Sequence, residues 1–348
     1  MAEQTDKIYK QLPDRLLPWY DKNKRDLPWR HTKDPYAIWL SEIMLQQTRV
    51  EAVKDYYSRF LKALPTVSDL ANADDGLLGK LWEGLGYYTR VRNLKKAAIE
   101  IVSDYNGAFP DSYESVLALP GIGPYTAGAI CSIVYDLPTP AVDGNVLRVI
   151  SRLTDDETPI DAPAYKKTVQ EKLEIIYPRR AGDFTQALME LGATVCGPNQ
   201  KPDCDNCPCV DICLAHKRGR ELILPVKKPK KERREEELTV FILKCGEMYA
   251  LQKRKNTGLL AKLWQFYNVP GVMDAQQALK TVAQLHPKDL LRQTDKKHIF
   301  THIQWNMRGY YIEVAQQCDD FCWFTRKQID EKIALPTAFR QFWEDNIF

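Results

Sequence analysis

Apolar residues recur at helical spacing through the first two-thirds of the chain. Val50, Val53, Tyr57, Phe60, Leu61 and Leu64 mark one helix face, and Pro65 ends the run. Ahead of it, Thr48-Arg49-Val50-Glu51 has the form of a capping box, in which hydroxyl and carboxylate satisfy free backbone donors. Val91, Leu94, Ala98, Ile101, Val102 and Tyr105 repeat the pattern, with Asn106-Gly107 as the stop. Asp183 is placed to cap a further helix through Leu188 and Leu191. No strand alternation competes before about residue 220.

The texture then changes. Lys227-Lys228-Pro229-Lys230-Lys231-Glu232-Arg233-Arg234 and Glu235-Glu236-Glu237 carry charge but no apolar face, which predicts a solvated linker over 221–237. Beyond it, Leu238 to Leu243 and Met248 to Leu251 flank Cys245-Gly246-Glu247 as a hairpin would. Alternation near Ile303–Met307 and Tyr310–Val314 favours strands, whereas 275–285 and 337–343 read as helical. The pattern predicts a multidomain chain: an all-α domain over 1–220, the linker, and an α+β domain over 238–348.

Composition agrees. The 348 residues suit about two domains, and 44% hydrophobic residues suffice for ordinary cores. No apolar run approaches the roughly 18 residues of a membrane span. Met1-Ala2-Glu3-Gln4 opens neither a signal core nor a transit pattern. A soluble, cytoplasmic monomer is the expectation. A net charge of +3 says little about partners, so any nucleic-acid reading rests on local features. Four of the nine cysteines, Cys204, Cys207, Cys209 and Cys213, fall within ten positions. In a reducing compartment such clustering points to a metal or cluster, not to disulfides.

Three segments carry candidate chemistry. In Leu119-Pro120-Gly121-Ile122-Gly123-Pro124-Tyr125, the glycines permit a tight turn and Pro124 suits the first turn of a helix. The amides of that helix start can hold a phosphate oxygen. A plain helix–helix turn would look similar. In Val142-Asp143-Gly144-Asn145, Asp143 is placed to cap the helix carrying Leu147 and Ile150. In Trp39-Leu40-Ser41-Glu42-Ile43-Met44-Leu45-Gln46-Gln47-Thr48, Glu42 stands inside an apolar helix, either on a solvent stripe or lining a cleft.

Together these segments, with Leu27-Pro28-Trp29-Arg30, Gly84-Leu85-Gly86-Tyr87-Tyr88 and Asp143-Gly144-Asn145, resemble the signatures of MutY-type adenine DNA glycosylases. The resemblance covers most of the first 220 residues. It implies a helix–hairpin–helix glycosylase domain, with Gly121 and Gly123 on the DNA backbone. It also implies excision of adenine opposite 8-oxoguanine or guanine in double-stranded DNA. It makes Glu42 the acid that protonates the departing base and Asp143 the carboxylate facing the sugar cation, with Asn145 orienting Asp143. Tyr125 stands where related endonuclease III-type lyases carry a lysine nucleophile, and a tyrosine forms no imine. A monofunctional enzyme follows. Arg30 and Gln186 are implied to contact the flipped adenine, and Gln47 and Tyr87 to intrude into the base stack.

Thiolates suit iron–sulfur clusters and structural zinc alike. The resemblance implies a [4Fe–4S] cluster on Cys196, Cys204, Cys207 and Cys213, in a loop over 196–213. The family spaces its first two cysteines by six residues, and this chain has seven, Gly197 to Asp203. Cys209 is left as a spare thiol.

The segment Gly258-Leu259-Leu260-Ala261-Lys262-Leu263-Trp264-Gln265-Phe266 resembles the Nudix-like C-terminal domain of the same family. No glutamate cluster for pyrophosphate hydrolysis accompanies it. The family reads the opposite base through a Phe-Ser-His turn, matched here by Phe300, Thr301 and His302. Threonine keeps the hydroxyl and adds a methyl. The competing readings are a bifunctional glycosylase/lyase, which Tyr125 opposes, and a non-catalytic DNA-binding module held by a structural metal.

Overall fold

The computed structural model describes residues 2–198, 201–229 and 232–345. They form two compact units: one from residues before 73 together with 93–229, the other from 73–92 together with the described residues beyond 229. The division differs from the predicted one in two ways. Residues 73–92 group with the C-terminal unit, and 221–229 belong to the helical unit. Leu224 is 1% exposed in the helical core, and the Ile160 amide donates to the Val226 carbonyl. Of the predicted linker, 234–237 are already strand, and Lys230 and Lys231 lie outside the described residues.

In the first unit α1 (Ala2–Asn23), α2 (Pro35–Leu45), α3 (Val50–Ala63) and α4 (Val67–Asn72) come first. After α5 (Asp75–Leu81) of the other unit, α6 (Thr89–Asp104) leads back to the first. There follow α7 (Tyr113–Ala118), α8 (Pro124–Tyr135), α9 (Gly144–Thr154), α10 (Pro163–Glu174), α11 (Ala181–Thr194) and α12 (Leu214–Lys217). Leu12 and Leu16 of α1, Val146 and Ile150 of α9, Leu173 of α10, and Phe184 and Leu188 of α11 share one core. Each contributes roughly 1.5–3 kcal/mol by burial. That apolar group offsets the cost of burying Arg148 and Arg152 on α9, whose guanidinium groups donate to backbone carbonyls.

Two expected caps are absent. α3 starts at Val50 with Arg49 as N-cap and no side-chain bond. Thr48 instead turns back to the Gln46 carbonyl, and Glu51 pairs with Lys54. Gln47, left-handed at φ +59, redirects the chain there. Asp183 lies within the first turn of α11, behind Arg180 at the N-cap, and the two side chains pair. The helix stop at Asn106-Gly107 is present, with both residues at positive φ.

In the second unit β1 (Arg234–Cys245) and β2 (Met248–Lys253) form the expected hairpin. β3 (Trp264–Gln265), β4 (Tyr267–Pro270), α13 (Ala275–Thr281), β5 (Pro287–Ile299), β6 (Ile303–Val314), β7 (Cys322–Thr325), α14 (Arg326–Lys332) and α15 (Thr337–Trp343) follow. The strand order is β3-β2-β1-β6-β5, with β4 on β1 and β7 on β2. The two alternating segments near 303–314 are one strand, paired parallel to β1 and antiparallel to β5. β1 alternates between two cores: Leu238, Val240 and Ile242 on one face, Phe241 and Leu243 on the other. On this unit's helical side, Glu83 accepts from Arg340 and from the Leu335 amide. Among the described residues, no helix is long and apolar enough to cross a membrane.

Candidate active site

The hairpin between α7 and α8 closes through the Ile122 amide donating to the Leu119 carbonyl. Gly121 takes φ +78, and a Cβ there would meet the Asn93 side chain at 2.5 Å, so only glycine fits. Gly123 is the N-cap of α8, Pro124 follows at N1, and no side chain caps the first turn. Its amide groups are available to an anion.

α8 carries Tyr125 against Glu42 of α2. The phenol donates to Oε2 of Glu42 at 2.7 Å and lies 3.9 Å from the Met189 sulfur. α2 is buried along nearly its whole length, so Glu42 has no solvent stripe and is 5% exposed. Burial pushes its carboxyl up to about 7; the Tyr125 hydrogen bond opposes this, nearby Asp143 adds to it and Arg30 subtracts. Tyr125 itself stays protonated, its pKa raised by burial and by the two carboxylates.

Asp143 is the N-cap of α9, as its sequence position predicts, and accepts from the Val146 amide at 2.7 Å. Its second oxygen accepts from Nδ2 of Asn145 at 2.7 Å. Burial raises the Asp143 pKa, while these hydrogen bonds and Arg148 work to keep it ionised. Arg148 donates to Oδ1 of Asn145 and to the Gly192 carbonyl. α11 comes so close here that a Cβ on Gly192 would sit 2.6 Å from Cβ of Asn145. Tyr125 feels the charge of Asp143 and donates its hydrogen bond to Glu42.

Arg30 and Gln186 meet around residues that sequence reading missed. Glu190, fully buried on α11, accepts from the Arg25 backbone and side chain and from Arg30 at 2.7 Å. Burial pushes Glu190 up, but the Arg25 and Arg30 hydrogen bonds together outweigh it and hold the carboxyl at about 2. The Arg30 guanidinium lies 5.4 Å from the centre of the Tyr20 ring, and the Tyr20 hydroxyl donates to Oε1 of Gln186 at 3.1 Å. The signal available was Glu190, a carboxylate among the apolar residues of a helix.

Gln47 occupies the turn after α2, beside Gln46, whose amide donates to Thr126 of α8. In the second unit Tyr87 is also left-handed, at φ +47, and half exposed. Such backbone strain in non-glycine residues collects at functional positions. The Tyr87 and Thr301 hydroxyls are hydrogen-bonded at 2.6 Å. Thr301 and His302 form the exposed turn between β5 and β6. Phe300 anchors it, edge-on to Trp305 at 4.8 Å and to His298 at 4.5 Å.

Cys196, Cys204, Cys207 and Cys213 line one cavity with Val149, Leu153 and Leu191, while Cys209 is fully buried outside it. Arg152 donates to the Cys196 sulfur at 3.1 Å. Burial pushes the Cys207 and Cys213 thiols up, to about 12 and about 11. Thiolates persist there only beside a compensating positive centre. Four thiols lining one small cavity, with the Arg152 guanidinium beside Cys196, fit a thiolate-bound metal group. His216 and Glu221 also line the cavity, with Cys204, His216 and Glu221 ligand atoms within 4.8 Å of one another. Asn199 and Gln200, of the lengthened loop, lie outside the described residues.

Comparison with known proteins gives concordant results. Residues 40–178 match the model of the HhH-GPD superfamily base excision DNA repair protein, and 239–345 match the NUDIX domain. The chain is 36% identical to the adenine DNA glycosylase of Rattus norvegicus, across 87% of this chain and 70% of that one. With the adenine DNA glycosylase of Homo sapiens the identity is 35%, across 87% and 67%. Among solved structures, a thermostable thymine-DNA glycosylase superposes with a TM-score of 0.55 at 30% identity, covering 62% of this chain and 99% of that one. An endonuclease III–DNA complex shares the fold, with a TM-score of 0.53 at 23% identity, covering 62% and 97%.

Proposed function

The chain belongs to the adenine DNA glycosylases of the HhH-GPD superfamily, and on that premise we propose that it hydrolyses the N-glycosidic bond of adenine paired with 8-oxoguanine or guanine in duplex DNA. The observation that carries this reading is the Glu42–Tyr125 pair beside Asp143: a buried carboxyl at about 7, near a second carboxylate held by an amide N–H and an Asn side chain. One acid and one base in different environments are what glycosidic cleavage requires.

The target nucleotide must leave the stack to reach this buried pair, at a cost of a few kcal/mol. The uncapped start of α8 holds a backbone phosphate while Gln47 fills the space vacated in the stack. Arg30 and Gln186 hold the extruded base. Tyr125 occupies Oε2 of Glu42, which leaves Oε1 to carry the transferable proton. That proton passes to a ring nitrogen of adenine, and the C1′–N9 bonding pair leaves with the base. Asp143 faces the resulting sugar cation, through charge or a transient bond to C1′. Water then adds at C1′ and its proton returns to Glu42. No lysine stands at position 125, which supports hydrolysis without strand cleavage.

In the second unit Tyr87, Phe300, Thr301 and His302 form the proposed reader of the opposite base. Cys196, Cys204, Cys207 and Cys213 would hold a [4Fe–4S] cluster. Bound there, the cluster would clamp the loop after α11 without taking part in bond cleavage. Iron and sulfide in equal amounts, with the brown absorbance of a cluster, are the expected content of purified protein. Colourless protein containing zinc alone would point to a structural metal. Base release from duplexes carrying adenine opposite 8-oxoguanine, guanine or thymine tests the activity, with release expected for the first two. Efficient borohydride trapping on abasic DNA would show an amine nucleophile and contradict the monofunctional reading.

A further inference from the structure

Tyr20 has no role in the chemistry above, yet it is the buried link between the two base-holding residues. It is 1% exposed on α1, with the Arg30 guanidinium 5.4 Å from its ring centre. That guanidinium also donates to Glu190 at 2.7 Å. The Tyr20 hydroxyl donates to Oε1 of Gln186 at 3.1 Å, its one polar partner among the described residues. Burial pushes the phenol up to about 12, so it remains a hydroxyl at working pH.

A carboxamide is directional, with an acceptor on one end and two donors on the other. Turning the Gln186 amide over would leave the buried Tyr20 proton without an acceptor, which is unfavourable. Nε2 of Gln186, with no partner among the described residues, is therefore the end left for a ligand. Gln186 and Met189 lie one turn apart on α11, and Met189 touches Tyr125, which binds Glu42. This face of α11 thus looks onto the acid.

We propose that Tyr20 is a positioning residue that sets the direction of the Gln186 amide and, through it, selects adenine over 6-oxopurines. The inference rests on the adenine glycosylase reading. Adenine presents an acceptor at N1 beside the N6 donor, and a carboxamide pairs with that edge in one direction only. Nε2 donates to N1, and the second lone pair of Oε1 accepts from N6–H. Hypoxanthine reverses both groups, setting N1–H against Nε2–H. Without the Tyr20 hydroxyl the amide can turn over and suit either base.

The test is single-turnover release of adenine and of hypoxanthine, each opposite 8-oxoguanine, by the unsubstituted protein and Tyr20→Phe. The adenine-to-hypoxanthine rate ratio is expected to fall about tenfold, the value of one directed hydrogen bond. In a Gln186→Ala background the same Tyr20→Phe change is expected to leave the ratio unmoved, because the group it directs is gone. Merely structural damage would lower both rates together, and thermal unfolding of each variant monitors it. An unchanged ratio in Tyr20→Phe, including undetectable hypoxanthine release by both proteins, overturns the inference. So does an equal fall in the Gln186→Ala background. If the unsubstituted protein fails to release adenine, the parent reading falls first, a result distinct from release with an unchanged ratio.

Discussion

The Tyr125 hydroxyl donates to Oε2 of Glu42 across 2.7 Å, so one oxygen of a buried carboxyl is tied down and the other is left for the proposed proton transfer. With burial holding Glu42 at about 7, its protonated form decreases as pH rises through that value. Adenine release by the free enzyme is expected to decline above about pH 7, and Glu42→Gln to lack that limb.

The same group links pH to stability. Its folded pKa lies above its unfolded value, so its stabilising contribution is complete below about 4.5 and is lost as pH rises through about 7. Glu42→Gln is therefore expected to unfold at a temperature higher than the parent at pH 8, on the order of 5 °C, with the gap closing toward pH 4. Calorimetry at the two pH values checks it.

Asp143 caps α9 and faces the proposed sugar cation, and one substitution separates the two tasks. Asparagine caps a helix as well as aspartate does. Asp143→Asn keeps the cap but sets an amide N–H against the Asn145 Nδ2 donor, so it is expected to unfold several degrees below the parent while its single-turnover rate falls roughly a thousandfold. A rate within tenfold of the parent would assign Asp143 to the cap alone.

Glu190 anchors Arg25 and Arg30. Glu190→Gln leaves two partly buried cations without their charge partner, at a cost of about 3 kcal/mol at pH 7. The folded pKa is depressed to about 2, so this contribution is present above about 4.5 and fades as pH falls toward 2. Denaturant titrations of both proteins at pH 7 and pH 3 should show the gap narrowing at the lower pH.

Thr301 is exposed and bonded to Tyr87. Thr301→Ala is expected to leave the unfolding temperature within about 2 °C of the parent but to lower the preference for 8-oxoguanine over guanine about three- to tenfold. Tyr87→Phe should act in the same direction. Competitive cleavage of the two duplexes measures both.

Legibility in the sequence followed the range of the contacts. Asp143 as a cap, Pro124 at a helix start and the β1–β2 hairpin are local, and residue types at short spacing specified them. The Thr48 cap failed although it is local, because the left-handed Gln47 moved the helix start by one residue. Hydrophobic spacing left the surroundings of Glu42 open between solvent and cleft, and burial of α2 on all sides decided it. The Arg30–Glu190 and Tyr20–Gln186 pairs join residues more than 150 apart in the chain, which spacing cannot register. The grouping of 73–92 with the second unit had no compositional boundary to mark it.

Single-turnover release of free adenine from a duplex carrying adenine opposite 8-oxoguanine, by the parent protein beside Glu42→Gln, decides whether Glu42 is the acid of an adenine glycosylase. Release by the parent and a loss of at least a hundredfold in the variant are expected, with the DNA strand left uncut before alkali. No adenine release by the parent, or equal release by both proteins, would contradict that assignment.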